Sequence, residues 1–261
     1  MEEKGKVSAE SQKPNIEFRH PTWIKRTELL LGSEKLDSLQ KAHVLVVGLG
    51  GIGGAAAEMI ARSGVGQMTL VDGDVVEASN RNRQLCALES TENLLKSEIF
   101  AARLKDINPD IRLRVVSNYL KDDKIIDVLS CPYDYVVDCI DTLSPKVYLL
   151  YRAITMGHRV VSAMGAGGRI DPLQVRICDI SETYNCNLAR YTRKKLHKLG
   201  VYSGLKVVFS PEKIDPARLM VTDGNRNKKS VIGTISYLPN VFGCVIASVV
   251  VRDLIGEKYE G

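Results

Sequence analysis

Along the chain, short runs of aliphatic and β-branched residues alternate with longer stretches whose apolar positions recur at helical spacing. Residues 43–48 (HVLVVG) are the first such run, and an apolar strand closed by glycine suits a parallel sheet buried on both faces. A helix is predicted over 53–63, where Ala55, Ala56 and Ala57 let it lie close to the sheet, and Gly64 is its stop. The pattern repeats through strand 68–72, helix 91–107 ended by Asn108-Pro109, strand 111–116, helix 122–129 and strand 133–138. Helix 145–156, opened by Ser144 and Pro145, and strand 159–162 complete it. This alternation predicts an α/β fold of the Rossmann-like doubly wound kind, with a mainly parallel sheet and ligands beyond the carboxyl ends of its strands.

After Gly165 the pattern changes. Segments 173–179, 205–210 and 233–238 read as strands that extend the sheet, with a basic helix over 188–199 between them and an apolar segment, 241–254, closing the fold. Residues 1–20 are polar and mixed in charge, which predicts a disordered tail and leaves 21–261 as a single domain. The longest apolar run, 241–251, is shorter than the roughly 20 helical residues that cross a bilayer, so no transmembrane segment is expected. Six cysteines with no Cys-x-x-Cys pair read as reduced thiols in a cytoplasmic protein. A net charge of +5 is compatible with an anionic partner without establishing one.

The chemistry begins at Gly48-Leu49-Gly50-Gly51-Ile52-Gly53, where glycines let the backbone turn tightly and approach a phosphate at a helix N-terminus. Asp72 ends the next strand, at the position where ribose hydroxyls are bound. These features predict a nucleotide site, but glycines at 48, 50 and 53 satisfy the dinucleotide fingerprint as well, so NAD stays open. Asp74, Asn80, Arg83, Gln84 and Lys96 have no evident use in hydride transfer. They suit a triphosphate: Arg83 and Lys96 can neutralise charge on departing pyrophosphate while Asn80 fixes geometry. Asp141, just past a strand end, is placed to hold Mg²⁺ beside the phosphates or to cap the next helix.

On these motifs, with Asp138-Cys-Ile-Asp141, the first 145 residues or so resemble the superfamily of ThiF/MoeB sulfur-carrier adenylyltransferases and ubiquitin-activating enzymes. The resemblance implies that the matching residues bind ATP, with Asp141 near magnesium. It also implies that Arg26, in Lys25-Arg26-Thr27-Glu28, reaches the ATP site of a second subunit in a homodimer. The paired Cys-x-x-Cys motifs that hold structural zinc in many members are missing, so zinc is not expected. Cys178 and Cys186 are the candidates for a catalytic thiol, and neither has an evident activating base.

The second half resembles a narrower branch, the tRNA threonylcarbamoyladenosine dehydratases, through 165–172 (GAGGRIDP), 179–183 (DISET), 188–190 (LAR), 206–210 (KVVFS) and 236–254. Cys186-Asn187 stands where that branch usually has Asp-Pro. The resemblance implies carboxylate adenylation followed by ring closure on a modified tRNA nucleoside, with a sulfur-relay protein of the cysteine desulfurase system as a possible partner. Independently, Arg190, Arg193, Lys194 and Lys198 recur at helical spacing and form a basic stripe suited to RNA phosphates. Arg226, Lys228 and Lys229 add charge further on. Activation of a sulfur-carrier protein's C-terminus is the alternative.

Overall fold

Helices α1 (Lys25–Leu31) and α2 (Ser33–Lys41) precede the first strand, with Gly32 at φ 82° turning the chain between them. The structure, a computed structural model, describes residues 18–120, 123–221 and 230–257. Arg226, Lys228 and Lys229 and most of the expected N-terminal tail lie outside the described residues. The fold starts upstream of Pro21. His20 is held between Glu28 and Asp37, and the Arg19 amide donates to the Glu28 carboxylate.

Strands β1 (His43–Val47), β2 (Gln67–Val71), β3 (Arg112–Val116), β4 (Tyr135–Asp138) and β5 (Val160–Ala163) alternate with α3 (Gly51–Arg62), α4 (Lys96–Ile107), α5 (Asp123–Leu129) and α6 (Leu143–Thr155). Beyond them come β6 (Arg176–Asp179), α7 (Asn187–His197), β7 (Lys206–Phe209), β8 (Leu219–Val221), β9 (Ser230–Ile232) and α8 (Tyr237–Leu254). One sheet runs β3-β2-β1-β4-β5-β7-β6, parallel throughout except for β6 against β7. The order reverses beside β1, which pairs with β2 on one side and β4 on the other, so the crevice where a doubly wound sheet binds ligands opens between β1 and β4.

Three of the departures from the expected boundaries have an identifiable cause. The helix expected over 91–107 begins only at Lys96, because the preceding residues are pinned to 75–76: the Val76 amide donates to Leu94 O and the Asn93 amide to Val76 O. Residues 233–238 are not a strand. Pairing occurs just upstream, between β8 and β9, and α8 starts at Tyr237, with Pro239 in its first turn where no amide donor is needed. The expected strand 173–179 opens with a 3-10 turn, Pro172–Gln174, and pairs only from Arg176.

The apolar run read as 241–251 belongs to an 18-residue helix, so by length and composition α8 could cross a membrane. Its contacts give it another place. A Cβ on Gly243 would lie 2.6 Å from both Ala55 Cβ and Ile52 O, so small residues let α8 lie directly on α3. Leu238, Phe242, Ile246, Val249 and Val250 are sealed in the main core with Val44, Val46 and Phe100. At its far end Asp253 accepts from Tyr135 Oη (2.7 Å) and Lys206 Nζ (2.7 Å), tying the helix to β4 and β7.

Candidate active site

The loop leaving β1 is shaped by backbone that no side chain can enter. Gly48 has φ 89°, and a Cβ there would meet Cys139 O at 2.8 Å; a Cβ on Gly53 would lie 1.7 Å from Gly48 O. Gly50 is different. A Cβ there would meet nothing nearer than Gln84 Nε2 at 3.9 Å, so the space above it is open. Gly50 also precedes α3 as its N-cap and offers no side-chain acceptor, which leaves the first-turn amides, including that of Gly51, without a side-chain cap.

Asp72 seals one side of the loop. Its carboxylate accepts from the Leu49 amide (2.6 Å) and the Asp74 amide (2.8 Å). Burial pushes the Asp72 carboxyl up, opposed by those amides and by Lys96. Lys96, at the start of α4, is 5% exposed and donates to Asp74 at 3.0 Å, so a cation is held beside the crevice at the cost of desolvation. Tyr119, which the sequence reading missed, donates its hydroxyl to Asp74 from the loop after β3, and that bond pushes its phenol up to about 12.

The segment between β2 and α4 supplies the remaining predicted residues. Asn80 is buried, and its Oδ1 accepts from the Glu77 amide at 3.2 Å, closing a tight turn. Arg83 is half-buried and donates to Ser79 O (3.0 Å) and Asn82 Oδ1 (2.8 Å), while its own carbonyl lies 3.3 Å from the Cβ position of Gly51. Gln84 is buried beside Gly50, and its Oε1 has no hydrogen-bond partner among the described residues. An open cradle over helix amides, with the Gln84 Nε2 donor at its wall, fits a nucleotide polyphosphate.

Asp141 is exposed just beyond β4, and the N-cap of α6 is Thr142, one residue on. Its loop is gripped from below. Lys146 Nζ donates to Asp138 Oδ2 (2.6 Å) and Ile140 O (3.0 Å), while Asp138 also accepts from Ser162 Oγ (2.6 Å) and the Ile140 amide (3.1 Å). Lys146 was invisible to the sequence reading because a lysine at a helix start is usually solvated. An exposed carboxylate on a fixed loop fits Mg²⁺, which takes one or two carboxylates beside phosphates and keeps several waters. Among the described residues no group of three or more His, Cys, Asp or Glu could hold a metal by itself.

Cys139 and Cys178 are poor nucleophiles. Burial pushes Cys178 up to about 11, with Glu182 and Asp179 adding to the effect, and pushes Cys139 up further still. Cys186 is buried behind the α7 start. Arg190, Lys194 and Lys198 are exposed, but Arg193 turns inward and donates to Ile180 O (3.2 Å), Thr183 O (2.9 Å) and the Thr183 hydroxyl. The expected stripe is therefore three exposed cations with a fourth committed to holding the 180–183 turn. Arg26 is exposed on α1 with no hydrogen bond or ion pair among the described residues, next to Leu29 and Leu30 at 59% and 81% exposure.

Comparison with known proteins agrees with this geometry. The ThiF family matches residues 25–260. The tRNA threonylcarbamoyladenosine dehydratase of Bacillus subtilis is 35% identical over 89% of this chain and 94% of its own. The protein of the same name from Escherichia coli is 38% identical over 71% of this chain and 72% of its own. The crystal structure of an E. coli tRNA N6-threonylcarbamoyladenosine dehydratase in complex with ATP superposes with a TM-score of 0.81 at 33% identity, covering 89% of this chain and 93% of that one. The chain belongs to the ThiF family, on the branch that holds the tRNA threonylcarbamoyladenosine dehydratases.

Proposed function

We propose that this chain is an ATP-dependent tRNA threonylcarbamoyladenosine dehydratase. The observation that carries the reading is the open cradle at Gly50 with buried Gln84 beside it and buried Lys96 held at Asp74, near Asp72, in a chain whose relatives bear that name. The threonyl carboxylate of the modified nucleoside attacks the α-phosphorus of ATP, and the bond to pyrophosphate breaks. The neighbouring urea group then takes the activated carbonyl, and AMP departs with the carboxylate oxygen. One water is thereby lost from the nucleoside.

The Gly51-side amides and Gln84 hold the polyphosphate, Asp72 holds the ribose, and Arg83 and Lys96 neutralise charge as pyrophosphate leaves. Lys96 reaches the phosphates by exchanging Asp74 for them, and Tyr119 keeps Asp74 in place. Asp141 would hold Mg²⁺, which supplies further charge neutralisation at the phosphates when bound. Ring closure is intramolecular, so positioning alone can supply much of its acceleration, consistent with a Cys178 thiol held protonated by burial. Arg190, Lys194 and Lys198 engage tRNA phosphates.

A homodimer is part of the reading: Arg26 with exposed Leu29 and Leu30 gives α1 a face suited to a second copy. The chemistry uses no sulfur, so a sulfur-relay protein would be an accessory and not a reactant. Release of AMP from ATP that depends on threonylcarbamoyladenosine-bearing tRNA, and that disappears in Arg83→Ala, is the expected result. AMP release driven instead by a small carrier protein would turn the reading to the alternative, activation of a sulfur carrier.

A further inference from the structure

A second concavity opens on the face where α7 begins, separate from the glycine cradle. It encloses about 440 Å³ and is lined by Tyr184, Asn185, Asn187, Arg190, Arg193 and Lys213, among others, with no carboxylate in its lining. Its size suits one small-molecule-sized group. It lies against the loop that leaves β5, since a Cβ on Gly165 would sit 3.9 Å from both Cys186 Sγ and Leu188 Cβ. The loop after β5 is adjacent in the sheet to the β4 end that carries Asp141, so cavity and nucleotide crevice share one rim of the molecule.

The walls are rigid for a surface feature. Arg169, 2% exposed, donates to Asn185 O (3.0 Å) and Glu212 O (3.2 Å) and also to Gly165 O, stapling three segments that surround the cavity. Asn185, at φ 52°, donates to Pro211 O at 3.1 Å. Tyr184 stands edge-on to Phe209 with 5.8 Å between centroids, and Arg176 donates to its hydroxyl. Glu212, beside Lys213 in the chain, is spent on the amides of Ile170 and Asp171 and pairs with Arg218. By contrast, Lys213 is exposed and makes no hydrogen bond or ion pair among the described residues. Arg190, an exposed residue, is held over the Tyr191 ring at 4.8 Å and donates to the Tyr191 hydroxyl at 3.1 Å.

We propose that this cavity seats a single unstacked nucleotide of the RNA substrate, Lys213 and Arg190 contacting its phosphodiester and Tyr184 offering a ring face or edge to its base. The inference rests on the tRNA reading above. Single-stranded loops are recognised in this way, by aromatic side chains for splayed bases and cations for the backbone between them. Arg193, already committed to the 180–183 turn, contributes field without contacts. Anchoring a nucleotide here would orient a neighbouring modified nucleoside towards Asp141 and the cradle.

The test is binding of a synthetic anticodon stem–loop RNA to wild type, Lys213→Glu, Tyr184→Phe and Lys41→Glu, the last carrying the same charge change on distant α2. Thermal midpoints serve as the check that each variant folds. Lys213→Glu is expected to weaken binding about tenfold and to lower the slope of log affinity against log salt by about 0.7, as loss of one single-strand phosphate contact requires. Tyr184→Phe keeps the ring and is expected to bind as wild type, with Lys41→Glu within about twofold. Equal losses in Lys213→Glu and Lys41→Glu would show that net charge alone matters and overturn the cavity. Wild-type protein that binds no RNA and removes no water from the nucleoside would instead overturn the tRNA reading itself.

Discussion

Lys146 lies 2.6 Å from Asp138 with both side chains fully buried, and the same ammonium grips Ile140 O, one residue before Asp141. A buried ion pair contributes little over an apolar pair, but removing one partner strands the other charge. Lys146→Met is therefore expected to lose about 3–5 kcal/mol of stability. Denaturant titration should show a lower midpoint at unchanged slope. A midpoint equal to wild type would mean that the pair does not hold the loop.

Two glycines of the loop should respond oppositely to the same change. Gly53→Ala places a carbon 1.7 Å from Gly48 O and is expected to disrupt folding. Gly50→Ala has room, so its thermal midpoint should stay near wild type while its ATP dissociation constant rises about tenfold or more, because the added methyl occupies the phosphate approach. Calorimetric titration with ATP separates the two effects.

Lys96 is held by Asp74 when no nucleotide competes. Lys96→Ala is expected to lower the rate of AMP formation by about 10²–10³, with a smaller effect on ATP affinity, since charge on departing pyrophosphate develops mainly in the transition state. Quenched-flow measurement of AMP with saturating ATP reads this directly. A change in affinity alone would make Lys96 a binding residue only.

Glu28 orders the segment that carries Arg26. Burial pushes its carboxyl up, but the amides of Arg19 and His20, the His20 ring and the Ser33 hydroxyl outweigh this and bring it down to about 2 from 4.5. Because its folded value is depressed, its contribution to stability is present above about 4.5 and is lost as pH falls towards 2. Unfolding curves between pH 6 and about 2 for wild type and Glu28→Gln should therefore converge on acidification. Parallel curves would mean that Glu28 is not held as described.

Much of this was legible in the chain. The apolar runs at 43–48, 68–72 and 133–138 marked buried parallel strands, and GLGGIG with Asp72 marked the crevice between them, because strand periodicity and glycine turns are local signals. Elements fixed by distant partners were not. The late start of α4 depends on Val76 pairing with the segment at 93–94, and the inward turn of Arg193 depends on carbonyls from 180 and 183. Lys146, Tyr119 and Lys213 stayed hidden for a related reason: each matters only through residues that the fold, and not the sequence, brings beside it.

The measurement closest to the central claim is the mass of the modified nucleoside after incubation of the purified protein with Mg²⁺, ATP and tRNA bearing threonylcarbamoyladenosine. The nucleoside is expected to lose one water, with one AMP formed for each nucleoside converted, and Arg83→Ala to abolish both. An unchanged nucleoside mass, from protein that binds ATP and alongside an active dehydratase as control, would contradict it.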